Sequence, residues 1–161
     1  MDARLTIRSA AEEDISLIVA FINELAEYEK LAHEVTLDPD RLAYELFGES
    51  PTAYTLIAEW EGEPVGFALY FFNFSTFQGK HGLYLEDLYV RNTHRGRGIG
   101  KALFAALARI AHARDAGRMV WQVLDWNSPS IAFYESIGGH HRKGWDTYLL
   151  AGDALERLAH S

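Results

Sequence analysis

The chain has 161 residues, 48 % of them apolar, 13 % aromatic and 24 % charged, enough for one compact domain with a buried core. It contains no cysteine, which excludes disulfides, thiolate nucleophiles and cysteine zinc sites. Its formal net charge of -8 disfavours general nucleic-acid binding, which needs a basic surface, and favours a cationic small ligand through long-range attraction.

Leu5-Thr6-Ile7-Arg8 reads as a first strand. Ser9 and Glu12 then stand at capping-box spacing, a hydroxyl with a glutamate three residues on. The helix they open carries Ile15, Ile18, Val19, Ile22 and Leu25 at helical spacing and is expected to reach about Glu29. A second helix begins at Asp38-Pro39, a cap followed by proline at the first helical position, and ends near Phe47-Gly48. Tyr54 to Trp60 and Pro64 to Phe72 are β-rich runs joined by Glu61-Gly62-Glu63, the pattern of a hairpin. A third run, Leu83 to Val90, is apolar and aromatic apart from Glu86-Asp87.

A glycine-rich segment follows, then a helix with Ile99, Leu103, Leu107 and Ile110 on one face, ending near Gly117. Met119 to Leu124 is predicted as a strand, and Ser128-Pro129 as the cap of a short helix through Glu135, closed by Gly138-Gly139. Trp145 to Leu150 reads as a last strand and Asp153 to Leu158 as a terminal helical turn or two. The order β-α-α-β-β-β-α-β-α-β places the chain in the α/β (α+β) class, a mixed central sheet flanked by helices, with no repeat or linker to divide residues 1–161. No run approaches the roughly 18 apolar residues of a membrane span, and Met1-Asp2-Ala3-Arg4 lacks the apolar stretch of a signal peptide, so a cytoplasmic protein away from membranes is expected.

The segment His94-Arg95-Gly96-Arg97-Gly98-Ile99-Gly100-Lys101 joins a strand to a helix. A helix N-terminus offers unpaired N–H groups and partial positive charge, and glycines let that backbone approach an anion closely. Arg95, Arg97 and Lys101 add charge, so a phosphate-bearing ligand is indicated. A Walker A loop would end in Gly-Lys-Ser/Thr, whereas Ala102 follows Lys101; the Rossmann fingerprint would need a third glycine where Lys101 stands. What fits is R-x-x-G-x-G, with Arg95, Gly98 and Gly100 at the fixed positions, which resembles the pyrophosphate loop of the GNAT acetyltransferases.

The resemblance extends along most of the chain. Leu25-Ala26-Glu27-Tyr28-Glu29-Lys30-Leu31, Tyr84-Leu85-Glu86-Asp87-Leu88-Tyr89-Val90, the glycine loop, and Leu124-Asp125-Trp126-Asn127 with Phe133-Tyr134 occur in family order. Together they are similar to the diamine acetyltransferase branch, the spermidine/spermine and thialysine enzymes, and closer to the thialysine type. The resemblance implies acetyl-CoA as donor, direct transfer to a small amine in a ternary complex, no metal, and commonly a homodimer. It implies that Leu88, Tyr89 and Val90 bond the pantetheine arm through their backbone, and that Arg95, Gly96, Arg97, Gly98, Ile99, Gly100 and Lys101 hold the pyrophosphate. Asn127, Pro129 and Ser130 would contact the cofactor from the other side of the cleft, with Tyr134 beside it as general acid. Glu86, Tyr28 and Glu29 match acceptor-binding positions. Lys143 stands where the spermidine enzymes carry a glutamate, which replaces attraction for a long polycation with repulsion.

An amine attacks a thioester only as the free base, and deprotonating one of pKa near 10.4 at pH 7 costs roughly 4–5 kcal/mol. Glu86, interrupting an apolar strand, is the candidate base; it could equally serve as an ammonium-binding group, or as half of a structural ion pair. Asp87, its neighbour on a strand, is expected on the opposite face, touching the acceptor or paired structurally. Asn127, Ile131 and Tyr134 fall at i, i+4 and i+7 and share a helical face, so Asn127 and Tyr134 can address one ligand. The adjacent pair His140-His141 is expected to be a surface turn. Two alternatives use the same fold: a protein or peptide amine acetyltransferase, which Trp60, Phe74 and Phe77 on the expected acceptor side disfavour, and a non-catalytic acetyl-CoA sensor.

Overall fold

The computed structural model describes residues 2–161. The chain divides into two compact units, Met1–Trp126 and Asn127–Ser161. In the first, strands β1 (Leu5–Ser9), β2 (Tyr54–Trp60), β3 (Glu63–Ser75), β4 (Lys80–Val90) and β5 (Met119–Trp121) form one sheet in sequence order. All neighbours are antiparallel except β4 and β5, which run parallel because helix α3 (Ile99–Ala113) carries the chain back between them.

Helices α1 (Ile15–Tyr28) and α2 (Pro39–Phe47) cover one face of this sheet. Ile18, Phe21 and Leu46 pack there on Ile57, Phe67 and Leu69, with the rings of Phe21 and Phe67 stacked at 5.4 Å. Helix α3 packs on β1 to β4, burying Ile99, Leu103, Phe104, Ala106, Leu107 and Ala111. Residues three and four apart on each helix form its apolar stripe, so the periodicity visible in the sequence is the periodicity of burial.

Local signals explain most boundaries. The β2–β3 hairpin turns on Glu61-Gly62 alone, both at positive φ (52° and 83°), the geometry whose twist matches paired strands. Asp38 caps α2 by accepting the Asp40 N–H at 3.0 Å, with Pro39 at the first turn. Helix α1 ends at Tyr28 with Glu29 as its C-cap, and the φ of +62° at Lys30 lets the Leu31 N–H reach the Ala26 carbonyl at 2.8 Å. Ser9, expected as a cap, instead ends β1. Asp14, the last residue of a short 3-10 turn, stands at the N-cap position of α1 without a side-chain cap bond to that helix; its carboxylate accepts the Ala11 N–H at 2.8 Å and binds Arg8 at 2.7 and 2.9 Å.

Several expected boundaries move. Strand β5 stops at Trp121 rather than Leu124, because it pairs with β4 over three residues only. Helix α3 ends at Ala113, four residues before Gly117. In the second unit, α4 (Ser128–Ser136) is capped by Asn127 rather than Ser128, and α5 is Gly152–Ala159. Among the described residues, 145–150 form no strand, and Trp145, Tyr148 and Leu149 are exposed. No helix among the described residues is long and apolar enough to cross a membrane.

Phe21 is fully buried, so Phe21→Ala is expected to destabilise the fold by about 3–5 kcal/mol, read as a lower urea midpoint with an unchanged slope.

Candidate active site

Strands β4 and β5 pair through Leu83↔Met119, Tyr84↔Val120 and Leu85↔Trp121, and then part. Beyond Leu85 one edge of β4 is still held by β3, while among the described residues no strand pairs with the other edge over 86–90. The backbone N–H and C=O groups on that edge are set to pair with an extended ligand. Leu88, Tyr89 and Val90 lie in this stretch.

At the same point the β3–β4 register slips. Leu69 opposes Asp87 and Tyr70 opposes Leu85, so Glu86 is the extra residue of a β-bulge. The alternation that was expected to send Glu86 and Asp87 to opposite faces is broken there. Glu86 is exposed and, among the described residues, makes no salt bridge, so the structural ion pair is not formed. Asp87 is half-buried, opposite Leu69 of the α1-facing core. Burial, reinforced by the charges of Glu86 and Glu29, pushes the Asp87 carboxyl up to about 7. Burial also raises Glu29, the C-cap of α1. The bulge and the end of α1 thus bring together carboxylates whose mutual repulsion a cation would relieve.

The glycine segment follows directly. Gly96 and Gly98 adopt φ of +77° and +78°, and a Cβ on either would meet nothing within 4 Å, so glycine is needed there for conformation rather than for space. Gly98 is the N-cap of α3; it supplies no side-chain cap, and the first turn of Ile99, Gly100 and Lys101 contains no acidic residue. The N–H groups of that turn and the charges of Arg97 and Lys101 are arranged for an anion.

Arg95 departs from the expectation that it simply adds charge to this loop. Its Nε donates to the Val90 carbonyl at 2.9 Å, and its guanidinium lies 4.5 Å above the Tyr28 ring and 5.7 Å from the Tyr89 ring. Tyr28 also approaches Trp126 at 6.4 Å, and Lys30 Nζ lies 5.2 Å over Trp126. A cleft of about 360 Å³ opens beside Arg95, lined by Glu24, Glu27, Tyr28, Tyr89 and Asn92 as well. Arg91 holds Glu24 at its edge through two bonds, of 2.9 and 3.1 Å. Glu24 and Trp126 were not among the candidate residues, although Glu24 precedes Tyr28 by one helical turn, which places the two on one face.

In the second unit, Asn127 Oδ1 accepts the Ser130 N–H at 3.4 Å and the Asn127 carbonyl accepts the Ile131 N–H at 3.0 Å. Pro129 lies in the first turn of α4, and the half-buried Tyr134 stands beside Phe133, ring centres 5.6 Å apart. Trp60 is a correction: it is buried, with Arg4 at 4.5 Å and Arg97 at 5.1 Å over its ring, and so braces the glycine loop rather than walling an acceptor side. Phe74 ends β3 and Phe77 lies in the β3–β4 turn, both exposed.

Asp87 binds its proton more tightly folded than unfolded, so it favours the fold at low pH, and this contribution is lost as pH rises through about 7. The melting temperature of Asp87→Asn minus that of the parent is therefore expected to grow between pH 4 and 7 and level off above. A difference that stays flat across this range would contradict the assignment.

Comparison with known proteins agrees with this geometry. A model of the acetyltransferase (GNAT) family matches residues 18–139. The thialysine N-epsilon-acetyltransferase of Bos taurus is 37 % identical over 168 residues, covering 98 % of each chain. The L-ornithine N5-acetyltransferase of Arabidopsis thaliana is 28 % identical, over 94 % of this chain and 86 % of that one. Among solved structures, an integron cassette protein from the mobile metagenome of V. cholerae superimposes with a TM-score of 0.80 at 28 % identity, covering 98 % of this chain and 99 % of its own. A sheet parted beside a glycine loop and a family match across three-quarters of the chain lead to one conclusion: this protein belongs to the GNAT family of acetyltransferases.

Proposed function

We propose that the enzyme moves the acetyl group of acetyl-CoA to a primary amine of a small molecule, a diamine, polyamine or thialysine-like amino acid, by direct attack in a ternary complex. The observation that carries this reading is the free edge of β4 over 86–90, with carboxylates at one end and the uncapped, glycine-bordered start of α3 at the other. The residues present fit the donor. Gly96 and Gly98 hold the positive φ that turns the loop, and nothing would block an anion at their Cα atoms. Leu88, Tyr89 and Val90 offer edge amides and carbonyls to the pantetheine arm. Gly96 to Lys101 hold the pyrophosphate, and the family resemblance assigns Asn127, Pro129 and Ser130 to the donor as well.

On the acceptor side, Tyr28, Glu29 and Asp87 receive the ammonium. Its charge would offset the burial and the neighbouring negative charges that raise Asp87, so binding stabilises the ionised carboxylate. Glu86, exposed at the bulge, takes the proton from the amine directly or through a water. The amine nitrogen then bonds the acetyl carbonyl carbon as the carbon–sulfur bond breaks, and the Tyr134 phenol gives its proton to the departing thiolate. The names of the thialysine and ornithine enzymes point to acceptors with an amine and a carboxylate on one short chain. Lys143 supports short acceptors over spermine. We also assign the enzyme to the cytoplasm as a homodimer, supported by its cysteine-free sequence and by the branch it resembles; sedimentation at micromolar concentration measures the latter.

The test is CoA release across thialysine, lysine, ornithine, short diamines, spermidine and a lysine peptide. Turnover confined to the small amines is expected, with Glu86→Gln and Tyr134→Phe each lowering kcat by about 10²-fold or more. Unchanged turnover in both variants, or activity on the peptide alone, would overturn the reading.

A further inference from the structure

Arg95 is the one fixed charged position of the R-x-x-G-x-G loop, yet much of its bonding capacity is directed away from that loop. Its Nε is used on the Val90 carbonyl, at the end of β4. One aromatic contact is Tyr28, the last residue of α1, and the other is Tyr89 of β4. A single planar cation therefore touches the end of the acceptor helix and the last residues of the donor strand, and Gly96 follows it directly in the chain. Lysine could not reproduce this arrangement. An ammonium is a point charge with no face to stack on two rings and no separate Nε to hold a carbonyl.

From this we infer that Arg95 is a positioning residue that couples the two substrate sites: it fixes Tyr28 relative to the start of the glycine loop, so that order at either end favours order at the other. The inference rests on the reading of the loop as the donor site and the end of α1 as acceptor side. It makes a demand that simple phosphate binding does not, namely that a side chain on the acceptor helix affects donor affinity.

The experiment measures the acetyl-CoA Kd by calorimetry with no amine present, in the parent, Tyr28→Phe, Tyr28→Leu, Arg95→Lys and the Tyr28→Leu/Arg95→Lys pair. Tyr28 is 36 % exposed at a helix end, so leucine is accommodated, and thermal melts check that each variant folds. Loss of the ring is expected to raise Kd about threefold to fivefold, the scale of an exposed cation–π contact, whereas Tyr28→Phe, which keeps a ring, shifts it less than twofold. Arg95→Lys is expected to raise Kd by at least as much, and the double variant to be no weaker than Arg95→Lys alone within twofold. Unchanged Kd in Tyr28→Leu, or a double variant weakened by the product of the two single effects, would overturn the coupling while leaving the donor site standing. Failure of the parent to bind acetyl-CoA at all would instead bring down the donor-site reading, and this inference with it.

Discussion

The constraint on which the site depends is the early parting of β4 from β5. Their parallel pairing lasts three residues, yet β4 stays extended to Val90 because its other edge is held by β3 along its length. The result is a strand that is rigid on one side and unpaired on the other over 86–90. Four residue steps of strand span about 13 Å, enough for several backbone groups to address one extended ligand. Exposed strand edges are usually a liability through unwanted pairing. Here the open stretch is short, bordered at one end by a bulge bearing Glu86 and at the other by a loop that turns the chain away.

Charge is divided along this strand. At the bulge, burial and the fields of Glu86 and Glu29 raise Asp87. At the far end, Arg97, Lys101 and the first turn of α3 form a positive region with no acidic side chain in that turn. Between them, Arg91 is neutralised by Glu24, and Arg95 is held by Val90 and two tyrosines. The field therefore favours a cation at one end and an anion at the other, which suits the transfer of a group from a phosphate-bearing donor to an amine. The net charge of -8 adds at long range to the attraction for the cation alone, so the anion relies on the local positive region.

Much of the fold was legible because local and global signals coincide. The stripe of Ile15, Ile18, Val19, Ile22 and Leu25 marks α1, Asp38-Pro39 marks the start of α2, and Gly96 and Gly98 of the loop stand where φ is positive. The family motif singled out the glycine loop as the segment expected to hold the donor. Other features could not be read because they are properties of pairing rather than of sequence. The end of β5 at Trp121 depends on how far β4 accompanies it, and the bulge at Glu86 depends on a register set by β3. The β-rich run at 145–150, legible as a strand by composition, forms no strand among the described residues. The placement of Arg95 against Tyr28 joins residues far apart in the chain, and no spacing rule connects them.

The most direct test of the open edge is residue-resolved amide exchange by NMR with and without acetyl-CoA. If β4 receives the donor along its unpaired edge, alternate amides within 86–90 gain protection on binding, together with those of Gly98 to Lys101, while the β3-facing amides are unchanged. Acetyl-CoA that binds without altering exchange anywhere in 86–90 would contradict the account.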